Sequence, residues 1–579
     1  MEDVQSRLAS DSKGQEKFAE LRTTYGFGDN EVACFEMNHG ELNSGKMSSF
    51  EAFLENEKVK RMPKKQLLGT ARPLTARWTQ GPADLKRSSG SNVVTTPIAK
   101  RTREAAGDLD AVGTPTPPCK AKSHQISLKS SINTGNLQKI PLSRTANVKL
   151  LGDCFWTGQD GQSAYTWMDE ALSERAIRRD ERLQEWEAPI TSLLQQRVQE
   201  AVIGAVGVPS QVETILCGRI VCEGLDGRLN EQSMLLEGST LAAGAKVQLN
   251  VANCQQLAAV PGQIVGVVGR SGMTGNTFHA HEFLPGLPQE AQPLGENCAL
   301  HAAVIAGPFS KKKELDFAAL ESVLAEVAAS SERPKVLIIF GPFLDCNNDK
   351  VASGEVHLPG RESEPCSFEE IYAELFAMLA RFVQPLRRAN PPTEVLIVPS
   401  LDEVAAFHPL PQPPLDVVMG SYLMASKDSL ESLQRLGVRF LPNPVHLEIN
   451  GIKVSLSSAD ALTPVIRELV LRPSGQRKMD EALRLLLQQR CLFPMVPREP
   501  AQVCEARAQA LDFPGGAPHL CIFPSIAGLS ATVADDTLFV NPGFLCKSGA
   551  LGSFAELWIA PGGGSTLKDR IRVDVKKLE

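Results

Sequence analysis

The sequence predicts a multidomain protein: a small helical N-terminal domain (1–57), a disordered linker (58–147), a helical or extended connector (148–209), a small β-barrel (210–298) and a layered α/β domain (299–579). Three observations carry this. A length of 579 residues suits about three or four domains at roughly 150 residues each. The hydropathy period changes along the chain, from helical spacing to short strands near 210, then to alternating strand and helix after 299. Charge is divided as well. Residues 58–150 hold 18 Lys and Arg against 4 Asp and Glu, a net of +14, while the whole chain carries −7. The rest is therefore strongly acidic.

In the first segment, Phe18-Ala19-Glu20-Leu21 and Phe50-Glu51-Ala52-Phe53-Leu54 place apolar residues at helical spacing, with Ser48 and Ser49 as N-caps of the second. The next segment is rich in Ser, Thr, Pro, Gly and Lys and lacks sustained periodicity. Such a stretch cannot bury enough apolar surface to offset chain entropy. It contains Lys58-Val59-Lys60-Arg61-Met62-Pro63-Lys64-Lys65 and Lys100-Arg101-Thr102-Arg103, candidate nuclear import signals beside the reading of a solvated basic linker. Thr96, Thr114 and Thr116 each precede a proline, which suits proline-directed kinases. No apolar run reaches the ~20 residues that span a bilayer, and no secretory h-region follows Met1-Glu2-Asp3. The 13 cysteines contain no C-x-x-C pair, so reduced thiols are expected rather than a zinc ribbon.

Residues 166–205 read as a charged helical stretch broken near Pro189, with Leu183, Trp186, Leu193, Leu194 and Val198 as its apolar stripe. Thr214 to Val221, Ser233 to Leu236, Lys246 to Val251 and Gln263 to Val268 read as short strands separated by turns. That pattern favours an OB-fold. Phe278 and Phe283 are the only aromatics in 210–285. Single-strand binding by stacking is therefore doubtful, and a protein-facing barrel is expected. His279-Ala280-His281 has metal-like spacing, but no third ligand can be placed beside the pair. Gly266 to Gly275 lacks the ending of a phosphate loop and reads as a hairpin turn.

After 299, His301 to Ala306, Val336 to Phe340, Val395 to Val398 and Leu520 to Phe523 read as buried strands, with helical patterns at 316–330, 367–383 and 479–491. The strand ends carry a second pattern. Phe340-Gly341-Pro342-Phe343-Leu344-Asp345 resembles the G-D-x-x-D signature of calcineurin-like metallophosphoesterases, with Pro342 in place of the first aspartate. The other signatures depart too. Ala306 and Pro308 stand where D-x-H belongs, Leu401 replaces the histidine of G-N-H-[DE], Ser457 stands near the fourth position and Ser525 at the fifth. Two-metal hydrolysis needs carboxylates and imidazoles around both ions. Asp345 and Asp402 alone do not supply them, and turn or helix-cap chemistry is the favoured reading of both. The domain is expected to be an inactive phosphoesterase-like fold with no catalytic, cofactor or metal residue.

A barrel followed by such a domain resembles the B-subunit family of the eukaryotic replicative DNA polymerases, closest to its alpha–primase branch. The resemblance covers about residues 148–579. It rests on Phe340 to Asp345, Val398-Pro399-Ser400-Leu401-Asp402-Glu403-Val404, Leu492-Phe493-Pro494-Met495-Val496-Pro497, and Val540-Asn541-Pro542-Gly543 with Gly552-Ser553-Phe554-Ala555. It implies a non-catalytic scaffold of the DNA polymerase alpha–primase complex, acting in the nucleus at the initiation of replication and primer synthesis. The implied partners are the C-terminal zinc module of the catalytic subunit, the primase subunits, and other replication proteins through the N-terminal domain. DNA contact would be weak or indirect, and Thr96, Thr114 and Thr116 would be cell-cycle phosphorylation sites. The alternatives are an active phosphoesterase with an atypical site and a single-stranded DNA-binding protein.

Overall fold

The structure, a computed structural model, describes residues 124–133, 145–152, 168 and 170–579, apart from 225–227, 290–291, 358–363, 406–408, 423–426, 474, 476, 497–502 and 563–565. The expected helical domain, both basic import candidates and the three Thr-Pro sites lie outside the described residues.

Residues 202–284 close into a barrel. The strand Thr214–Cys222 pairs antiparallel with both Met234–Glu237 and Ile264–Ser271, while Lys246–Asn250 and Thr277–Leu284 complete the circuit. Alternating side chains such as Leu216, Ile220, Val265, Val267 and Phe278 fill its interior. The two-residue strand Val202–Ile203 joins the same sheet beside Thr214, so the barrel begins earlier than the expected boundary at 210.

The helix Leu172–Arg197 lies on the barrel and runs unbroken through Pro189. The expected break is corrected. Proline forfeits one helix hydrogen bond, but Leu183, Trp186, Ile190 and Leu194 are buried against Ile215, Ile264 and Val268. Burial of each such side chain contributes about 1.5–3 kcal/mol, which outweighs that loss. The expected hairpin at Gly266 to Gly275 is present in its second half, where Gly272 N donates to Thr277 O at 2.7 Å between antiparallel strands, and is corrected in its first half, because Gly266 lies inside the strand Ile264–Ser271. A Cβ there would stand 2.5 Å from Ile190 Cγ2 and 2.6 Å from Leu194 Cδ1. This glycine lets helix and barrel approach.

The remaining residues build four layers, helices outside two facing sheets. The seven-stranded sheet runs, in spatial order, Ile126–Asn133, Ile571–Leu578, Ser553–Ile559, Leu300–Ala306, Val336–Phe340, Glu394–Val398 and Arg439–Phe440. The six-stranded sheet runs Ser530–Ala534, Thr537–Asn541, Leu520–Ile522, Ile452–Leu456, Val445–Ile449 and Val148–Leu151. Ala302, Val304, Ile338 and Val398 face Leu447, Val454, Ile522 and Val540 between the sheets. Ala303, Ile305, Leu337 and Ile339 turn the other way, onto the helices Ala318–Ala329 and Phe368–Arg387. Cys521 and Phe539 pack under Leu462–Glu468 and Lys478–Gln488. The central strands are covered on both faces, hence their unbroken apolar runs.

The expected linker is corrected at its C-terminal end. Ile126–Asn133 is an edge strand paired antiparallel with Ile571–Leu578, and Ala146 is buried between the sheets. An edge strand is held mainly by backbone pairing, so it needs little of the side-chain alternation that marks a core strand. The connector likewise supplies an edge strand, Val148–Leu151.

Barrel and sandwich meet along a polar seam. Arg182 Nη1 donates to both carboxylate oxygens of Asp512, at 2.7 and 2.6 Å, and Nη2 to the Gln489 carbonyl at 2.9 Å. Arg472 Nη1 reaches the carbonyls of Val251, Ala252 and Cys254 at 2.9–3.0 Å, and Nη2 reaches Glu231. Gln489 acts as a strand-like partner: Oε1 accepts from Ile264 N at 3.1 Å, and Nε2 donates to Ile264 O and Pro285 O at 2.8 Å each. The strand Leu257–Ala259 pairs across the seam with Val470–Arg472.

Candidate functional site

The loops that follow the strands Leu300–Ala306, Val336–Phe340, Glu394–Val398, Ile452–Leu456 and Leu520–Ile522 converge at one end of the two sheets. The strand order places all five expected signature positions there. Gly307 N donates to Phe340 O at 2.9 Å, and Gly341 N to Val398 O at 2.9 Å. Ser458 Oγ donates to the Pro399 carbonyl at 2.6 Å, joining the two sheets. Ile526 N donates to Asp460 Oδ2 at 3.1 Å, joining the fourth loop to the fifth.

The chemistry of the cluster centres on a residue to which sequence reasoning assigned no role. Glu403 is buried, and its carboxylate accepts from Phe343 N at 2.7 Å, from Leu344 N at 2.9 Å and from the Tyr372 hydroxyl. Three donors converge on one carboxylate, an arrangement suited to the ionised form. Burial works against that form and is the larger effect, pushing the Glu403 carboxyl up to about 7. Burial, then the Glu403 charge, raises the Tyr372 phenol well above its usual range. The only sequence signal was an acidic residue inside Ser400-Leu401-Asp402-Glu403, directly after the aspartate at a signature position.

Asp345 and Asp402 do come together, through Asn347. Asp345 Oδ1 accepts from Asn347 N at 2.8 Å, and Asp402 Oδ1 from Asn347 Nδ2 at 3.1 Å. The first contact is turn chemistry, and the second ties two loops together through side chains 55 residues apart. Burial, and next the Asp402 charge beyond the opposing Asn347 bond, raises the Asp345 carboxyl.

The hydroxyl positions are likewise occupied. Ser457 Oγ donates to Asn443 Oδ1 at 3.1 Å, and Asn443 Nδ2 donates to Gln412 Oε1 at 2.8 Å and Ser458 Oγ at 2.7 Å. Ser525 N donates to Asn541 Oδ1 at 3.0 Å, while Asn541 Nδ2 donates to the carbonyls of Ser525 and Gly528 at 2.9 and 2.7 Å. Ala306 and Pro308 offer only carbonyls, which accept from Leu545 N and Cys546 N at 2.8 and 3.0 Å. Leu401 packs against the apolar core beneath the second sheet, and Pro342 is buried. Among the described residues, no group of three or more His, Cys, Asp or Glu side chains is placed to hold a metal ion.

Nearby histidines serve other purposes. His446 is buried outside the cluster, with Nδ1 2.8 Å from Ser455 Oγ and Nε2 3.1 Å from Ala510 O. Burial pulls it down to about 4, so it is neutral. His281 pairs with Glu213 on the barrel surface, and the strand Thr277–Leu284 gathers no third metal ligand around it. In the barrel, Phe278 and Phe283 are both buried in the core, leaving neither ring for base stacking. No described helix is long and apolar enough to cross a membrane.

Comparison with known proteins accounts for this arrangement. The family of DNA polymerase alpha/epsilon B subunits matches residues 302–529, and the family of OB domains from the DNA polymerase alpha B subunit matches residues 180–286. The chain is similar to the DNA polymerase alpha B subunit of Schizosaccharomyces pombe, at 30% identity over 61% of this chain and 60% of the relative. The Rattus norvegicus protein of the same name is 26% identical over 61% of this chain and 55% of the relative. That of Saccharomyces cerevisiae is 24% identical over 61% and 54%. The matched part thus spans a little over half the length of these curated relatives. The first of these matches covers most of the sandwich and the second covers the barrel with the helix on it, so the chain is similar, across both, to the DNA polymerase alpha/epsilon B-subunit family.

Proposed function

We propose that this chain is a non-catalytic accessory subunit of the DNA polymerase alpha–primase complex, supporting the initiation of DNA replication and primer synthesis in the nucleus. The observation that carries the reading is the OB domain joined by a bonded seam to a domain whose strand-end loops saturate one another. The α/β domain is a calcineurin-like phosphoesterase fold that has lost its two-metal site. Its four layers and its five convergent loops support that assignment. Where metal ligands belong, Ala306, Pro308, Pro342, Leu401, Ser457 and Ser525 offer none of the required type, and Asp345 and Asp402 are held by Asn347. The catalytic subunit's C-terminal zinc module is the principal partner. Primase subunits join through it, and the N-terminal segment recruits other replication proteins. Thr96, Thr114 and Thr116 regulate that recruitment by phosphorylation.

Co-expression of the full chain with the C-terminal module of a polymerase alpha catalytic subunit tests this. One-to-one co-elution on size exclusion is expected. Separate elution of two folded proteins would overturn the proposal. Metal-dependent phosphodiester hydrolysis by the pure chain would instead favour an enzyme, and tight salt-sensitive oligonucleotide binding a single-strand binder.

A further inference from the structure

The edge strand Ile126–Asn133 pairs only with Ile571–Leu578 among the described residues, and its register shifts between Leu128 and Ser130. It buries little. Ile126 is packed partly against the helical core, and Leu128 is 57% exposed. Segments held chiefly by main-chain bonds open at a fraction of the global unfolding free energy. Among the described residues, two side-chain bonds supplement the ladder here, and both are of one kind. Ser127 Oγ donates to Glu579 Oε1 at 2.9 Å, and Ser131 Oγ donates to Asp574 Oδ1 at 2.6 Å. Asp574 is 1% exposed, and its carboxylate also accepts Arg572 Nε and Nη2 at 3.0 and 3.1 Å. In each case the strand is fastened by a hydroxyl proton offered to a carboxylate.

We propose that Ser131, with Ser127 as a second site, is a phosphorylation site that unclasps this strand from the sheet. The phosphoryl donor is a nucleoside triphosphate held by a protein kinase. Ser131 Oγ attacks the γ-phosphorus and the new O–P bond forms. The bond from that phosphorus to the β,γ-bridging oxygen breaks, the nucleoside diphosphate departs, and the hydroxyl proton passes to the kinase's base. The product has no proton to give Asp574 and sets roughly two negative charges beside a buried carboxylate. The Arg572 guanidinium faces the same carboxylate and is engaged with it through Nε and Nη2. Ser131 is exposed on an outer strand, so a kinase gains access when the strand frays. Release frees the edge of Ile571–Leu578 for an extended peptide.

The test is hydrogen–deuterium exchange on the full chain with phosphoserine genetically encoded at position 131. Peptides covering 124–133 and 571–579 are expected to exchange at least about tenfold faster, with the central strand Leu300–Ala306 unchanged. Ser131→Ala, which removes the bond without adding charge, is expected to give a smaller increase. Unchanged or slowed exchange of the edge would overturn the proposal. So would an equal effect of Ser131→Ala, or loosening that extends to Leu300–Ala306.

Discussion

The seam between barrel and sandwich and the loop cluster at the strand ends are both polar and both largely buried, yet they are wired differently. At the seam, Arg182, Arg472 and Gln489 reach across to backbone carbonyls and carboxylates of another element far away in sequence. In the cluster, Glu403, Asn443 and Asn541 bond to the loops that surround them. The seam fixes the relative position of two domains. The cluster ties the strand-end loops of the two sheets to one another, and it holds them by hydrogen bonds. The first property sets how barrel and sandwich are joined, and the second orders the loop end by hydrogen bonds.

The largest expected effect concerns Glu403. Glu403→Ala leaves two buried amides and a buried phenol without an acceptor, at a cost of about 3 kcal/mol or more. Denaturant unfolding measures it. A loss below about 1 kcal/mol would show that the cluster is not organised around this carboxylate.

At the seam, Arg472→Ala withdraws the donor shared by three carbonyls and is expected to cost about 2 kcal/mol. It should also loosen the barrel relative to the sandwich, read by small-angle scattering or by faster exchange at 257–259. Equal exchange in variant and parent would move the strength of the seam elsewhere, to Arg182 and Gln489.

Gly266→Ala sharpens the same contrast on the apolar side. Its Cβ would meet Ile190 and Leu194, so a loss of about 1–3 kcal/mol is expected. Ile190→Ala should partly rescue it, and failure to do so would place the strain in the strand rather than the helix.

The pH dependence follows from Glu403. Its folded value is raised to about 7 from an ordinary 4.5, so folding favours the protonated acid. Its contribution is fully present below about 4.5 and is lost as pH rises through about 7. Glu403→Gln lacks this titration. The parent should therefore lose stability relative to Glu403→Gln across that window, and parallel curves would mean that the three donors win over burial.

The smallest effect is expected at the two aspartates. Asp345→Asn and Asp402→Asn keep an acceptor for Asn347 and should change stability by less than about 0.5 kcal/mol. Added manganese should leave Tm where it was. A rise in Tm that either substitution abolished would break the comparison outright.

Much of this architecture was legible before folding was considered. The apolar runs Val336 to Phe340 and Val395 to Val398 are strands because β-branched residues buried on both faces read as such. The period change near 210 announced the barrel, and the loop positions from Ala306 to Ser525 each follow a strand. Other features were hidden. Ile126–Asn133 needs only a backbone partner 443 residues away at Ser131 and Asp574, and nothing local marks that. Pro189 misled because a single lost hydrogen bond weighs less than a buried helix face. Gly266 looked like turn chemistry until the helix above it was placed.

The sequence by itself determined that a barrel precedes a layered α/β region, many of the strands and helices that build both, and which side-chain types stand at the ends of the strands. Those follow from local propensity, periodicity and residue identity. Only the tertiary structure decided that Glu403 gathers Phe343, Leu344 and Tyr372, that Arg472 and Gln489 bind the barrel to the sandwich, and that Ile126–Asn133 forms the edge of a sheet. The reason is physical. A buried polar group must find its partner wherever the fold places one, and the pairing depends on position in space rather than on distance along the chain.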